Sequence, residues 1–159
     1  PFSWEDFPEF MQQGVQALRG EVGTQMILEQ NVFIERFLFS SILRKLTEDE
    51  LAEYRRPFLE AGEGRRPMLT FPRQLPINGE PAEVAEIYEA YARWLEQSPV
   101  PKLFINCEHP SAILKGALRE YCRTWPAQTE VTLQTSRWPQ EDCPDEMGQA
   151  IVNWLQALR

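Results

Sequence analysis

The sequence has no apolar run near the ~20 residues that a membrane-spanning helix needs. It opens without a charged-then-apolar leader or a small-residue cleavage site, so a soluble, cytoplasmic chain is expected. Cysteines are few, odd in number and far apart: Cys107, Cys122 and Cys143. A disulfide framework wants an even count and a zinc site wants close Cys/His pairs, so neither is supported, and free thiols in a reducing compartment are expected. Basic residues are scarce, 16 against 24 acidic, for a net charge of -8. That balance argues against a nucleic-acid or anionic-membrane partner, because phosphate binding depends on Lys and Arg. Histidine is nearly absent, His109 being the single one. There is no internal repeat and no low-complexity tract, and no metal or organic cofactor is implied.

What is present is ordinary globular material, 43% hydrophobic and 25% charged over 159 residues. That length suits one domain able to bury roughly two thirds of its unfolded surface. The chain opens at Pro1 without an initiator Met, which fits either removal of Met or a piece of something longer.

The first half reads as helices. Ser3 can cap a first helix that carries Phe7, Phe10, Met11, Val15 and Leu18 on one face. Gly20 and Gly23 bracket a break before a short helix through Met26 and Leu28. Residues 32–43 are unusually apolar. Thr47-Glu48-Asp49-Glu50 is a capping box that starts a helix running to about Pro57. From Ala61 to Glu80, six Gly and Pro residues predict irregular chain. Pro81 then opens a long helix marked by Val84, Ile87, Tyr88, Tyr91, Trp94 and Leu95.

The second half alternates. Leu103-Phe104-Ile105 is a short continuous apolar run and reads as a strand buried on both faces, the parallel-sheet type. A helix around Ile113 to Arg123 follows, then a strand at Glu130 to Leu133, then a last helix from about Pro144. Strand, helix, strand, helix is a crossover unit of a parallel α/β sheet. Two strands are too few for such a sheet, and the first ~100 residues offer no other convincing strand. The sheet is expected to be completed by a protein partner or by self-association.

Several runs in order carry a resemblance: Glu29-Gln30-Asn31-Val32-Phe33-Ile34-Glu35, Tyr54-Arg55-Arg56-Pro57-Phe58, Phe71-Pro72-Arg73-Gln74-Leu75-Pro76-Ile77-Asn78-Gly79-Glu80-Pro81, Pro101-Lys102-Leu103-Phe104-Ile105-Asn106, Cys122-Arg123-Thr124-Trp125-Pro126 and Gln140-Glu141-Asp142-Cys143-Pro144-Asp145-Glu146-Met147-Gly148. The chain resembles the haloalkane dehalogenases of the α/β-hydrolase fold over their C-terminal half, with the coelenterazine luciferases as neighbours. The resemblance implies an α/β-hydrolase-like fold with an incomplete central sheet. Residues 1–97 would be the helical cap-like region and 98–159 the closing strand-helix-strand-helix part of the core. Leu38-Phe39 stands where the family has Leu-Pro, and the loop Glu108 to Gly116 reads as one residue longer.

The family reaction breaks a carbon–halogen bond by forming an Asp ester, which a His-activated water then hydrolyses. The nucleophile, its neighbouring Trp and the acid of the nearest subfamily precede the segment that this chain resembles. At the base position the chain has Arg137, which stays protonated and has no lone pair to take a proton from water. Glu108 and His109, on the loop after the first strand, are the alternative catalytic candidates. Phe10, Met11, Val15, Leu18, Phe33, Phe71, Pro72 and Leu75 resemble the apolar lining of the family pocket and suit a small apolar ligand. The expectation is a chain inactive by itself, an incomplete catalytic site acting as a binding or assembly subunit. Half of an active hydrolase completed by another chain, or a luciferase-like monooxygenase, are the alternatives.

Overall fold

The structure is a computed structural model and describes residues 3–7, 9–109 and 114–158. Two compact units divide the chain: Pro1–Ser40 with Leu46–Ala90, and Ser41–Lys45 with Tyr91–Arg159.

The first unit is helical. The first helix expected from Ser3 is instead a single 3-10 turn, Trp4–Asp6, followed by α1 (Glu9–Arg19). Ser3 still caps locally, its Oγ accepting from the Glu5 N–H at 3.3 Å. The helix breaks at Phe7, because the residue before a proline is pushed out of the helical region. The break expected between Gly20 and Gly23 is shorter than that. Helix α2 (Val22–Thr24) already contains Gly23 and runs on as π-type turns over Gln25–Glu29. A Cβ at Gly23 would collide with the Leu18 carbonyl oxygen, so glycine serves close approach there. The apolar stretch 32–43 winds into π turns at Phe33–Leu38 and a 3-10 turn at Phe39–Ser41.

Helix α3 (Glu48–Arg55) starts at the capping box as expected. Thr47 Oγ1 accepts from the Glu50 N–H at 3.3 Å, and Glu50 Oε2 accepts from the Thr47 N–H at 2.7 Å. The irregular stretch expected over 61–80 contains a helix, α4 (Arg66–Arg73). Pro67 sits in its first turn, where no intrahelical N–H is needed, and Pro72 in its last turn removes one bond without stopping it. Beyond α4, Asn78 and Gly79 both take positive φ and close a tight turn between Ile77 and Glu80. Buried Arg65 is the polar centre of this unit. Its guanidinium donates to the carbonyls of Leu28, Glu29, Phe58 and Leu59 at 2.9–3.0 Å, stitching two loops together. Around it Leu18, Ile27, Leu28, Val32, Ile34, Leu38, Leu46, Met68, Leu69, Ile77 and Ala85 are buried.

Helix α5 (Ala82–Gln97) leads out of the first unit. In the second, β1 (Lys102–Cys107), α6 (Ala117–Arg123), β2 (Gln128–Leu133), α7 (Pro139–Asp142) and α8 (Pro144–Ala157) follow. The two strands pair in parallel, from Lys102 opposite Gln128 to Cys107 opposite Leu133. These are the two expected strands, each somewhat longer. Helix α6 is described from Ala117; Ile113 lies outside the described residues. The expectation that β1 is buried on both faces does not hold within this chain. Its residues are half-buried and only Asn106 is fully buried, because β2 is its single partner among the described residues. No helix among the described residues is long and apolar enough to cross a membrane.

Candidate functional site

In an open parallel sheet, the loops leaving the C-terminal ends of the strands carry the chemistry. Here those loops leave β1 at Glu108 and β2 at Gln134. They start together: the Glu108 N–H donates to the Leu133 carbonyl at 2.9 Å, and the Thr135 N–H reaches the same oxygen at 3.0 Å. Gln134 Nε2 lies 3.4 Å from Glu108 Oε2 across the gap.

The loop after β2 is held from below. Thr135 and Ser136 are almost completely buried. Thr135 Oγ1 donates to Asp142 Oδ2 at 2.7 Å, and Ser136 Oγ donates to the Ser41 carbonyl at 2.9 Å. Asp142 also accepts from the backbone N–H groups of Leu43 and Arg44, at 2.8 and 3.2 Å. Arg44 completes the clamp on Glu141, through the carbonyl at 2.6 Å and the carboxylate at 2.7 Å. One carboxylate at the end of α7 therefore fixes both the segment 41–45 and the rim loop. In the sequence, Gln140-Glu141-Asp142 carries the family resemblance but no expected role. The signal was the charge-assisted acceptor that a buried turn needs, but its three donors lie 7 to 99 residues away.

Arg137 follows directly on that anchored pair and is half-buried. Loss of hydration lowers its pKa from the ordinary arginine value, since burial penalises the charged form. Arginine starts so far above neutrality that it remains a guanidinium. Beside it, the buried indole Nε1 of Trp138 has no hydrogen-bond partner among the described residues. On β1, Asn106 Nδ2 donates to Thr132 Oγ1 at 3.1 Å while its buried Oδ1 has no partner among the described residues. His109 is half-buried and Glu108 exposed. Burial raises the thiols of Cys107 and Cys143, and Asp142 adds to the rise at both, so neither is poised as a thiolate. No group of three His, Cys, Asp or Glu side chains able to hold a metal occurs among the described residues.

In the first unit the apolar candidates separate into two sets. Phe33 and Phe71 meet edge to face with ring centroids 6.3 Å apart, and Phe37 lies 6.5 Å from Phe33. Phe71 is 60% exposed, so this aromatic pair presents a surface and does not fill the core. Leu18 and Pro72 are buried, whereas Met11, Val15 and Leu75 are half-buried. The Phe10 side chain lies outside the described residues. Arg19 ties the region together, its Nη1 donating to the Pro72 and Leu75 carbonyls at 3.0 and 2.7 Å.

A haloalkane dehalogenase of Sphingobium indicum, strain UT26S, is 52% identical over 159 residues, all of this chain and 53% of the relative. The chain belongs to the haloalkane dehalogenase family, matching its C-terminal half. The crystal structure of haloalkane dehalogenase DbeA from Bradyrhizobium elkani USDA94 superposes with a TM-score of 0.92 at 36% identity. That match covers 99% of this chain and 55% of the solved one, and makes the fold a partial α/β-hydrolase. A neighbour outside the dehalogenases is the coelenterazine h 2-monooxygenase of Renilla reniformis, 36% identical over 158 residues, 98% of this chain and 50% of that protein. No protein-family model matches the chain. The chain spans about half the length of the curated relatives it matches.

Proposed function

We propose that this chain is the cap-and-closing half of a dehalogenase-type site and that it does not hydrolyse haloalkanes by itself. In this reading residues outside this segment, on the same polypeptide or on another, supply the nucleophile and the remaining strands. Such a strand would join the free edge of β1. Its residues Leu103, Phe104 and Ile105 are apolar and half-buried, as suits an interior strand. Strand β2 suits the outside of the sheet. It exposes Thr129, Glu130 and Thr132, and Glu130 pairs with Arg123 at 2.7 Å; charge of that kind blunts an edge.

The observation that carries the loss of hydrolysis is Arg137, held half-buried on a pinned loop where the family has its base. A guanidinium cannot take the proton from the attacking water. The aromatic face of Phe33 and Phe71 supports an apolar ligand of the haloalkane kind.

The test mixes the purified chain with the N-terminal half of the Sphingobium indicum enzyme, expressed separately. A one-to-one complex of about twice 18.6 kDa is expected, with no sustained halide release from a bromoalkane. Failure to associate, or steady turnover by the unaltered pair, overturns the proposal. Light emission with coelenterazine would move the reading to the monooxygenase neighbour.

A further inference from the structure

The helical turns after α2 close at Asn31. Its N–H donates to the Ile27 carbonyl at 3.2 Å, and its φ of 53° is the left-handed conformation that asparagine adopts more readily than most residues. That backbone duty explains the residue type and not the side chain. Asn31 is 6% exposed, and its buried Oδ1 has no hydrogen-bond partner among the described residues. Its Nδ2 donates to none of them either. A buried amide with donor and acceptor both unspent is costly whichever way it is turned, unless something pairs with it.

Asn31 lines an open cleft of about 240 Å³ that lies wholly within the first unit. Buried Arg65 lines it too. Four of its five N–H groups are spent on the Phe58, Leu28, Glu29 and Leu59 carbonyls, which leaves one on Nη2. All four acceptors are neutral, so no carboxylate is bonded to this guanidinium among the described residues. Glu35 adds a carboxylate to the cleft, held by Arg55 at 2.8–3.1 Å and still able to accept. Phe58 and the exposed Leu59 give it an apolar side.

These groups call for both signs of charge at once. Glu29 and Glu35 balance Arg55 and Arg65, so the lining carries no net charge. A bare cation would face the buried guanidinium, and a bare anion would leave the Asn31 oxygen unpaired. We propose that the cleft binds a free α-amino acid with an apolar side chain, as the zwitterion. Its carboxylate accepts from Asn31 Nδ2 and from the remaining Arg65 N–H, the stronger, charge-assisted kind of bond. Its ammonium donates to Asn31 Oδ1 and to Glu35. Its side chain rests on Phe58 and Leu59. The cleft is smaller than the roughly 300–1,000 Å³ of sites for drug-sized ligands, which suits a single amino acid.

The experiment titrates the full chain, isotopically labelled, with L-leucine and follows backbone and side-chain NMR signals. Saturable shifts of the Asn31 side-chain amide and of the Arg65 N–H signals are expected. Asn31→Gly keeps the left-handed turn, because glycine adopts it freely, and removes the amide. It should weaken binding by about tenfold or more, the worth of a hydrogen bond to a charged group, while the melting temperature stays close to that of the unaltered chain. Leucinamide lacks the carboxylate and N-acetyl-leucine lacks the ammonium, and each should bind about tenfold more weakly than leucine. Absence of saturable shifts, or shifts that map away from Asn31, overturns the proposal. Undiminished binding to Asn31→Gly does so too. Equal binding of leucinamide or N-acetyl-leucine overturns recognition of the zwitterion. None of these readouts involves a haloalkane or added strands, so their failure leaves the proposed dehalogenase-type role untouched.

Discussion

The two units are built to different standards of burial. In the first, helices α1 and α4 and the turns between them enclose Ile27, Leu69 and Ile77, each no more than 2% exposed, and Arg65 satisfies four carbonyls in the same core. In the second, helix α8 has no buried residue, β1 buries only Asn106 and β2 only Leu133. Helix α8 leaves Val152 and Leu155 nearly half exposed, and Leu158 just beyond its end as much. Beside it an open trough of about 530 Å³ runs along β2, lined by Val131, Ala150 and Trp154 among others. Composition does not explain the contrast, since both halves are rich in apolar residues. Sheet topology does. A helical unit can wrap its own core within a short stretch of chain, whereas a parallel sheet needs several strands before either face is covered.

The largest test of this contrast is to supply what the second unit lacks. In amide exchange on the isolated chain, residues 102–107 and helix α8 should exchange far faster than α4, because low contact density and exposed backbone bonds permit local opening. Adding the N-terminal half of a dehalogenase should slow exchange in β1 most and leave α4 nearly unchanged. Slow exchange in β1 before the addition would mean that the second unit is already covered by self-association.

Truncations give a smaller and more local measure. Leu69→Ala removes a side chain that is 1% exposed and should cost ~2–5 kcal/mol in unfolding free energy. Leu155→Ala, at a position 49% exposed, should stay within about 0.5 kcal/mol in the isolated chain. Asp142→Ala lies between them. It leaves the hydroxyl of fully buried Thr135 without its acceptor, a loss of about 1–3 kcal/mol, while the more exposed Leu43 and Arg44 N–H groups can turn to water. Denaturant melts of the three variants would rank them. Equal losses at Leu69 and Leu155 would erase the difference between the units.

The same contrast governs how far the sequence could be read. The capping box at Thr47 was legible because both bonds lie within four residues. The two strands were legible because a short apolar run after Pro101 and an alternating stretch from Glu130 to Leu133 need no long-range information. Helix α4 was hidden: Pro67 and Pro72 look like breakers until the structure puts one in the first turn and the other in the last. Gly23 looked like a break and serves close packing against Leu18 instead. At the rim, Arg137 was found through the run of residues around it. The role of Asp142 was not, because it depends on where Ser41–Lys45 returns to the fold. The pairing of Phe33 with Phe71 joins residues 38 apart, which spacing alone does not reveal.

The smallest effect separates local polar structure from burial. Glu35 in the first unit lies below the usual glutamate range, chiefly through its hydrogen bonds from Arg55, with burial opposing and the charges of Arg55 and Arg65 assisting. Glu130 in the second unit is lowered in the same way by Arg123, which reaches from α6 to β2. For both, the folded state binds its proton less readily than the unfolded chain. The contribution to stability is therefore fully present above the unfolded value and is lost as pH falls through the folded one. Both pairs are partly exposed, so high salt should weaken them. Carboxyl titration by NMR should find both side chains depressed in the isolated chain, and Glu35→Gln and Glu130→Gln should each flatten the acid side of the stability curve slightly. A depressed Glu35 beside an ordinary Glu130 would show that α6 is not docked on β2 until the sheet is completed. The second unit would then be a segment that folds on association, and its exposed strand would be the site at which the partner starts.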